Sequence, residues 1–365
     1  MNIRPALISL LILFTYSSGF AAADSTEFYF YRHPDYGSQS VFNPATVFLN
    51  GGFDVIQTGS VDPDPFNLPF YSSAKNVFMN IGHPFRQIGR HGWGKFLSEE
   101  VIPTSLSMKQ SQYVPNYTLH LLGGGVTYRT LWEWSEAHQV PYPRFSAMVF
   151  TAAYHFMNEI TENGSFTGVN TDPIADLCIF DPLSILLFQS DKVARFLGTK
   201  AIVSDWSTMP FFDPAHKVLD NTSQNYALSL PLPKTERLRL FAYLGMNELC
   251  GLSWRRGNGY AVSGGGGVTV NSLAEVDTSG ASGRTMTITY TWNTGFFFDK
   301  DNSLLFSVLL SGNRFYRARL NLYPLPDFHF ENLRPAFFAA IGQKDELVLG
   351  VTANWLPLSL SARAP

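Results

Sequence analysis

The chain has 365 residues, with 26 Lys and Arg against 29 Asp and Glu and a formal net charge of −3. Charged residues make up 15% of it and aromatics another 15%, whereas an ordinary soluble domain carries about 25% charge. A weakly negative balance without a basic run excludes nucleic acid as a partner, and few charges with many aromatics suit an outer surface that faces lipid.

Residues 1–23 read as a secretory signal peptide. Arg4 supplies the positive end, residues 6–14 form a short apolar run, and Ala21-Ala22-Ala23 offers small residues before Asp24. The run is too short for a spanning helix. No cysteine follows it, so a lipid anchor at that point is not expected. Residues 24–81 carry β-like runs, Phe28-Tyr29-Phe30-Tyr31 and 46–56, between Pro- and Gly-rich loops. They are expected to form N-terminal strands and loops.

Residues 82–198 read as a helical insert. Pro84 and Pro115-Asn116 are helix openings, a third helix is expected over 144–163, and Gly164 ends it. Asp172-Pro173 and Asp181-Pro182 each pair a capping residue with proline at the first helical position. Gly198 is the expected C-terminal cap of the last helix. Gly123-Gly124-Gly125 costs helix propensity and reads as a close-packing or bend site. It is not a phosphate loop, because neither a strand nor a Lys-Ser/Thr pair flanks it.

Residues 199–365 are almost all strand and turn. Met286, Ile288, Tyr290, Trp292, Phe296 and Phe298 alternate with Thr287, Thr289, Thr291, Asn293 and Gly295. Leu304, Phe306, Val308 and Leu310 share one face of the next run. Ala318, Leu320 and Leu322 then alternate with Arg317, Arg319 and Asn321, and Leu347, Leu349, Val351, Ala353 and Trp355 continue the pattern. The run Leu238, Leu240, Ala242, Leu244, Met246 behaves alike. Period two marks half-buried strands. Runs of about ten residues with aromatics near their ends are the signature of a membrane barrel, which satisfies its backbone by closure. The expected fold is therefore mostly β with a helical insert: an antiparallel transmembrane β-barrel of about 10–12 strands. A soluble periplasmic β-rich protein alternates in the same way with its apolar face inward. Barrels of the outer membrane usually finish on an aromatic residue, whereas this chain runs past Trp355 to Ala364-Pro365.

His155 and Glu159 are four apart and share a helix face with Phe145, Met148 and Ala152, and Asp172 and Asp176 are likewise four apart. A histidine with three carboxylates could bind a metal or run acid–base chemistry on an envelope lipid or glycan. The bland alternative is a hydrogen-bonded polar seam between two helices. His83, Arg86, Arg90 and His91 form a basic, Gly-rich patch suited to an anionic small molecule or lipid head group. Arg317 and Arg319, on the face away from lipid, would bias a lumen toward anions. Cys178 and Cys250 are either two buried thiols or a disulfide. No zinc, nucleotide or serine-nucleophile spacing is present, and no cofactor is expected.

Gly82-His83-Pro84, Asn158-Glu159, Asp172 and Asp176 resemble bacterial outer-membrane proteins of uncharacterised role that set short acidic helices beside a barrel. Where that pattern follows the acidic helix with glycine, this chain has Asp181-Pro182. The resemblance implies outer-membrane location and lipid as a partner, and brings no activity with it. The expected role is structural, binding or permeation, with a lipid- or glycan-modifying enzyme as the rival.

Overall fold

The computed structural model describes residues 28–102, 115–235, 237–277, 284–327, 333–342, 345–354, 356 and 358–364. The signal segment 1–23 and Trp355 lie outside the described residues, and so does the side chain of Met286.

The N-terminal stretch is helical where strands were expected. Helix α1 (Gly37–Ser40) leads into α2 (Pro44–Phe53). The β-like run 46–56 is overridden at its start: Asn43 accepts a hydrogen bond from Thr46 N–H in a reciprocal capping box, and Pro44 takes the first helical position. Helices α3 (Phe70–Gly82), α4 (Pro84–His91) and α5 (Trp93–Phe96) follow. Residues 116–123 form a wide i→i+5 turn that runs straight into α6 (Gly124–Ala137). Then come α7 (Pro143–Asn163) and the short α8 (Asp172–Ala175). After a second wide turn at 176–180 come α9 (Asp181–Phe188) and α10 (Asp191–Arg195). The helical part thus covers 37–200 rather than 82–198. Gly198 does not stop the last helix: a third wide turn continues to Lys200 (a fourth, Leu97–Val101, follows α5), and Gly198 gives way to Tyr29, whose Cβ an added methyl would meet at 2.8 Å. No single helix among the described residues is long and apolar enough to cross a membrane.

The aromatic run at 28–31 makes no strand among the described residues. It is strapped across α6, where the backbone N–H groups of Tyr29, Phe30 and Tyr31 all donate to Glu133 Oε2, at 3.1, 2.7 and 2.8 Å. Arg129 Nε donates to the other Glu133 oxygen at 2.9 Å. Burial pushes the Glu133 carboxyl above its usual range, against these donors.

Every described strand lies after residue 200, in one thirteen-stranded sheet made of β1 (Val203–Asp205), β2 (Phe211–Asp213), β3 (Val218–Asp220), β4 (Asn225–Pro231), β5 (Leu238–Gly245), β6 (Asn247–Arg255), β7 (Tyr260–Asp277), β8 (Arg284–Lys300), β9 (Ser303–Ser311), β10 (Ala318–Leu322), β11 (Pro335–Ile341), β12 (Leu347–Ala353) and β13 (Ser359–Ala364), ordered β1-β4-β5-β6-β7-β8-β9-β10-β11-β12-β13-β2-β3. From β4 (Asn225–Pro231) to β13 (Ser359–Ala364) neighbours pair antiparallel in chain order. The count exceeds the expected 10–12, and the ladder is open: β1 and β3 are its ends, with no ladder between them among the described residues. The excess comes from three short strands in the segment between insert and sheet. There β1 (Val203–Asp205) pairs with β4, and Trp206 and Thr208 continue to the carbonyls of Asn225 and Ser223. A few residues later β2 (Phe211–Asp213) pairs parallel with β13 and antiparallel with β3 (Val218–Asp220). One stretch, 203–213, therefore touches both flanks of the long meander.

The expected two faces are present. Leu240, Leu252, Trp292, Phe296, Leu349 and Val351 stand on one face, each about half exposed, while Ser253, Ser263, Asn293, Ser307, Asn321 and Thr352 are buried on the other. The exposed face is the apolar one. At the insert end the pattern changes. Ile288 is buried and Tyr290 half-buried, because there they line a cleft against the helices rather than continuing the exposed row of Trp292.

The inner face is filled. Phe241 and Tyr243 of β5 (Leu238–Gly245) meet Phe297 of β8 (Arg284–Lys300) at 5.3 and 4.6 Å, and Phe211 stacks on Phe338 of β11 (Pro335–Ile341) at 5.1 Å. The stretch Tyr36 to Thr58, with α2 in it, runs along the same face. It is bonded to Asp301 at one end (Tyr36 hydroxyl, 2.7 Å) and to Arg314 at the other (Thr58 carbonyl, 2.6 Å).

Replacing Glu133 by Ala strands three backbone donors inside the protein and removes one acceptor of Arg129, which keeps Asp191. The expected cost is about 3–5 kcal/mol, read by denaturant unfolding. Proteolysis near residues 28–31 should precede global unfolding in that variant, and an unchanged proteolytic pattern would show that Glu133 does not hold the strap.

Candidate functional site: a buried histidine–carboxylate cluster

Three segments bring ionisable groups together inside the helical part. His155 and Glu159 project from the C-terminal half of α7, His120 from the wide turn at 116–123, and Asp176 and Asp181 from the wide turn at 176–180 and the start of α9. All five are buried. A wide turn carries about one more residue than an α-turn and is frequent at functional sites, and both of those turns carry a member of the cluster. The face of α7 that Phe145, Met148 and Ala152 share is exposed over its N-terminal half and becomes buried only from His155 onward. The expected common face therefore splits between solvent and interior.

Gly124 makes room for the cluster: a Cβ there would lie 2.8 Å from His155 Cε1. Gly123 and Gly125 make way for the rings of Tyr226 and Phe188. The triple glycine is thus a close-packing site, as its sequence context suggested.

Asp181 lies between the two histidines. His120 Nδ1 lies 3.0 Å from Asp181 Oδ1, and His155 Nδ1 meets the same oxygen. His120 Nε2 points the other way, 3.5 Å from Asp176 Oδ2. Burial alone would raise the Asp181 carboxyl, but His155 and His120 hold it below its usual range. Burial disfavours charge on both rings. The Asp181 charge outweighs this at His120, whose imidazole is raised, whereas burial wins at His155, which is lowered and also faces His120. On the far side, burial first and the charge of Asp172 second push Glu159 and Asp176 well above the ordinary carboxyl range, and Glu100 behaves alike. Glu159 Oε1 and Asp176 Oδ1 are buried without a hydrogen-bond partner.

A cleft between helices and sheet rim reaches this cluster. His120, Asp172 and Asp176 line it with Asp54, Glu162, Glu248, Ile288 and Tyr290, and it holds about 60 Å³. Burial raises Asp54 to about 7, and Asn158 donates to it at 3.0 Å.

All four candidate residues from the sequence are thus buried in this one region. His120 and Asp181, which tie the cluster together, were missed. Asp181 carried the signature of a helix opening, and His120 lies in a turn whose period matches neither helix nor strand.

The other expected sites are dispersed. His83, Arg86 and Arg90 are exposed around α4, but His91 is buried and turned toward Glu99, with Nε2 to Oε2 at 3.3 Å, so it is not part of a basic surface patch. Arg317 is exposed at a strand end and pairs with Asp345 at 2.8 Å, so it does not face a lumen. Arg319 does face inward, stacked 3.8 Å from the Tyr316 ring centroid and donating to Gln57 at 3.2 Å. Cys178 and Cys250 are both free and exposed, neither buried nor paired.

Neither a scan against protein-family profiles nor searches of curated proteins and of solved structures gives a match to this chain.

Breaking a buried ion pair costs about 3–5 kcal/mol, whereas an exposed one is worth about 0–1 kcal/mol. Asp181→Asn is therefore expected to lower unfolding stability by about 3–5 kcal/mol. Asp191→Asn, which removes the exposed partner of Arg129 (2.8 Å), should shift it by about 1 kcal/mol or less. Equal effects of the two would contradict the central place given to Asp181.

Proposed function

We propose that the sheet is the wall of a β-barrel seated in a bacterial outer membrane, that its interior is closed to flow, and that the helical part is a binding module packed against its rim. One observation carries this reading: large apolar side chains occupy the exposed face on successive strands, while the buried one mixes serines, asparagines and an arginine with an aromatic cluster. A soluble sheet inverts that arrangement, and soluble monomers rarely expose contiguous apolar surface of such extent. Two further observations support closure into a barrel. The stretch 203–213 bonds to β4 on one flank and β13 on the other. Side chains from both halves of the meander also share one inner cluster.

The filled inner face favours a structural or binding role over permeation. Aromatic rings, Arg319 and the stretch around α2 occupy the space a channel would need. The cleft beside the histidines favours a small occupant. Its 60 Å³ falls well below the about 300–1,000 Å³ of sites for organic ligands, so a lipid or glycan substrate is the weaker reading.

Fractionation tests the location: the chain should stay with outer membranes through a urea or alkaline wash, and recovery in the soluble periplasm would sink the proposal. Leu349→Arg or Trp292→Arg should destabilise the inserted protein by about 2–4 kcal/mol near the bilayer midplane and reduce its recovery from membranes. In planar bilayers the purified protein should carry no steady current, and a stable single-channel conductance would refute the closed interior.

A further inference from the structure

We propose that His120, Glu159 and Asp176 bind a divalent first-row metal cation, of the zinc or manganese class, within the helical part. The proposal is independent of whether the sheet sits in a membrane. The three donors, His120 Nε2 with a carboxylate oxygen of each acid, lie within 4.8 Å of one another. Two ligands about 2.1 Å from a tetrahedral ion stand about 3.4 Å apart, and His120 Nε2 to Asp176 Oδ2 is 3.5 Å. That spacing fits two ligands of one ion, and it is too long for a normal hydrogen bond.

Independent support comes from the orphaned atoms. Glu159 Oε1 and Asp176 Oδ1 are buried and unpartnered, although Glu159 and Asp176 also contact each other. A seam that only shared a proton between the two acids would leave both oxygens unsatisfied, at a cost buried polar groups rarely bear. A cation held by Glu159 Oε1 and by both oxygens of Asp176 satisfies both. The orientation of His120 is the third element. Its Nδ1 is engaged by Asp181 at 3.0 Å, which leaves Nε2, facing Asp176, as the nitrogen that ligates the ion, with loss of any proton it carries. A carboxylate behind a histidine in this way is the usual support of a metal-ligating imidazole. Asp181 is thus a positioning residue and His155 shares it. The donor set is nitrogen and oxygen without thiolate, since Cys178 is exposed. Imidazole suits zinc, iron or nickel rather than calcium and magnesium, and the two carboxylates admit manganese. The adjoining cleft, lined by His120 and Asp176, has room for the waters that would complete the coordination.

The test uses the full chain in detergent, stripped with chelator and desalted, then incubated with Zn²⁺, Mn²⁺ or Co²⁺ alone. After gel filtration, elemental analysis should find one ion per chain for at least one of them, and the same ion should raise Tm. Glu159→Gln and Asp176→Asn should lose the ion. Asp181→Asn should bind it about 10–100-fold more weakly, and His216→Ala, at a solvent-facing histidine, should change nothing. Absence of any retained ion in the unaltered chain overturns the proposal, as does full retention in folded Glu159→Gln and Asp176→Asn. Should both variants fail to fold, the stoichiometry and metal-dependent Tm of the unaltered chain still decide the matter.

Discussion

A sheet that buries its polar face has to satisfy that face from within, and asparagine side chains do this here. Asn247 Nδ2 donates to Asn225 Oδ1 at 2.9 Å, and Asn293 Nδ2 to Asn247 Oδ1 at 2.6 Å, so one row of amides ties β4, β6 and β8. Asn221 donates to Asn321 at 2.8 Å, which in turn donates to Ser307 at 3.2 Å. Asn50, on α2, accepts from Ser223 N–H and donates to the Thr208 carbonyl. An unpaired amide in these positions would cost about 1–3 kcal/mol. The fit of helix, connecting segment and sheet therefore depends on every rung being made. The aromatic cluster beside them supplies burial without direction, and the amides supply register.

The same logic explains why the helical part cannot drift from the sheet. Its N-terminal strap is fixed by Glu133, its second helix by Asn50, and its last wide turn by Arg239, which donates to the Lys200 carbonyl at 2.9 Å. Tyr226 on β4 reaches out to Thr127 of α6 at 2.7 Å. Contacts distributed from residue 29 to residue 200 hold the cluster at a fixed height relative to the rim, where Glu248, Ile288 and Tyr290 complete the cleft.

The sheet was legible because period two survives whatever the alternate faces touch: Trp292 and Phe296 reveal an outward side, Asn293 and Phe297 an inward one. What periodicity does not encode is how the ends of the meander are engaged, since it is blind to the short strands β1 to β3 that lie on its two flanks. The N-terminal helices were illegible for a different reason. Residues 46–56 are mostly apolar because α2 is enclosed on nearly every side, and a wholly buried helix and a buried strand share one composition. At the site, the i, i+4 pair His155–Glu159 was visible on α7. His120 and Asp181 were not, because i→i+5 turns displace side chains from the positions that helical spacing assigns them.

Costs in this molecule are concentrated rather than spread. Consecutive glycines at 123–125 weaken α6, two wide turns interrupt the helices on either side of the cluster, and four acids in and beside it, Glu100, Glu159, Asp176 and Asp181, are buried with an oxygen each unsatisfied. Each feature departs from what a stable helical bundle would use. Apolar replacements for such buried charges are often neutral or stabilising. The departures converge on His120. Gly124 clears space for the His155 ring beside it, the first wide turn aims Nε2, and the second brings Asp176 opposite. Local rules broken independently at scattered points would be noise. Gathered around one imidazole nitrogen, they single out the candidate site as the place where the rules of a stable helical bundle are most relaxed.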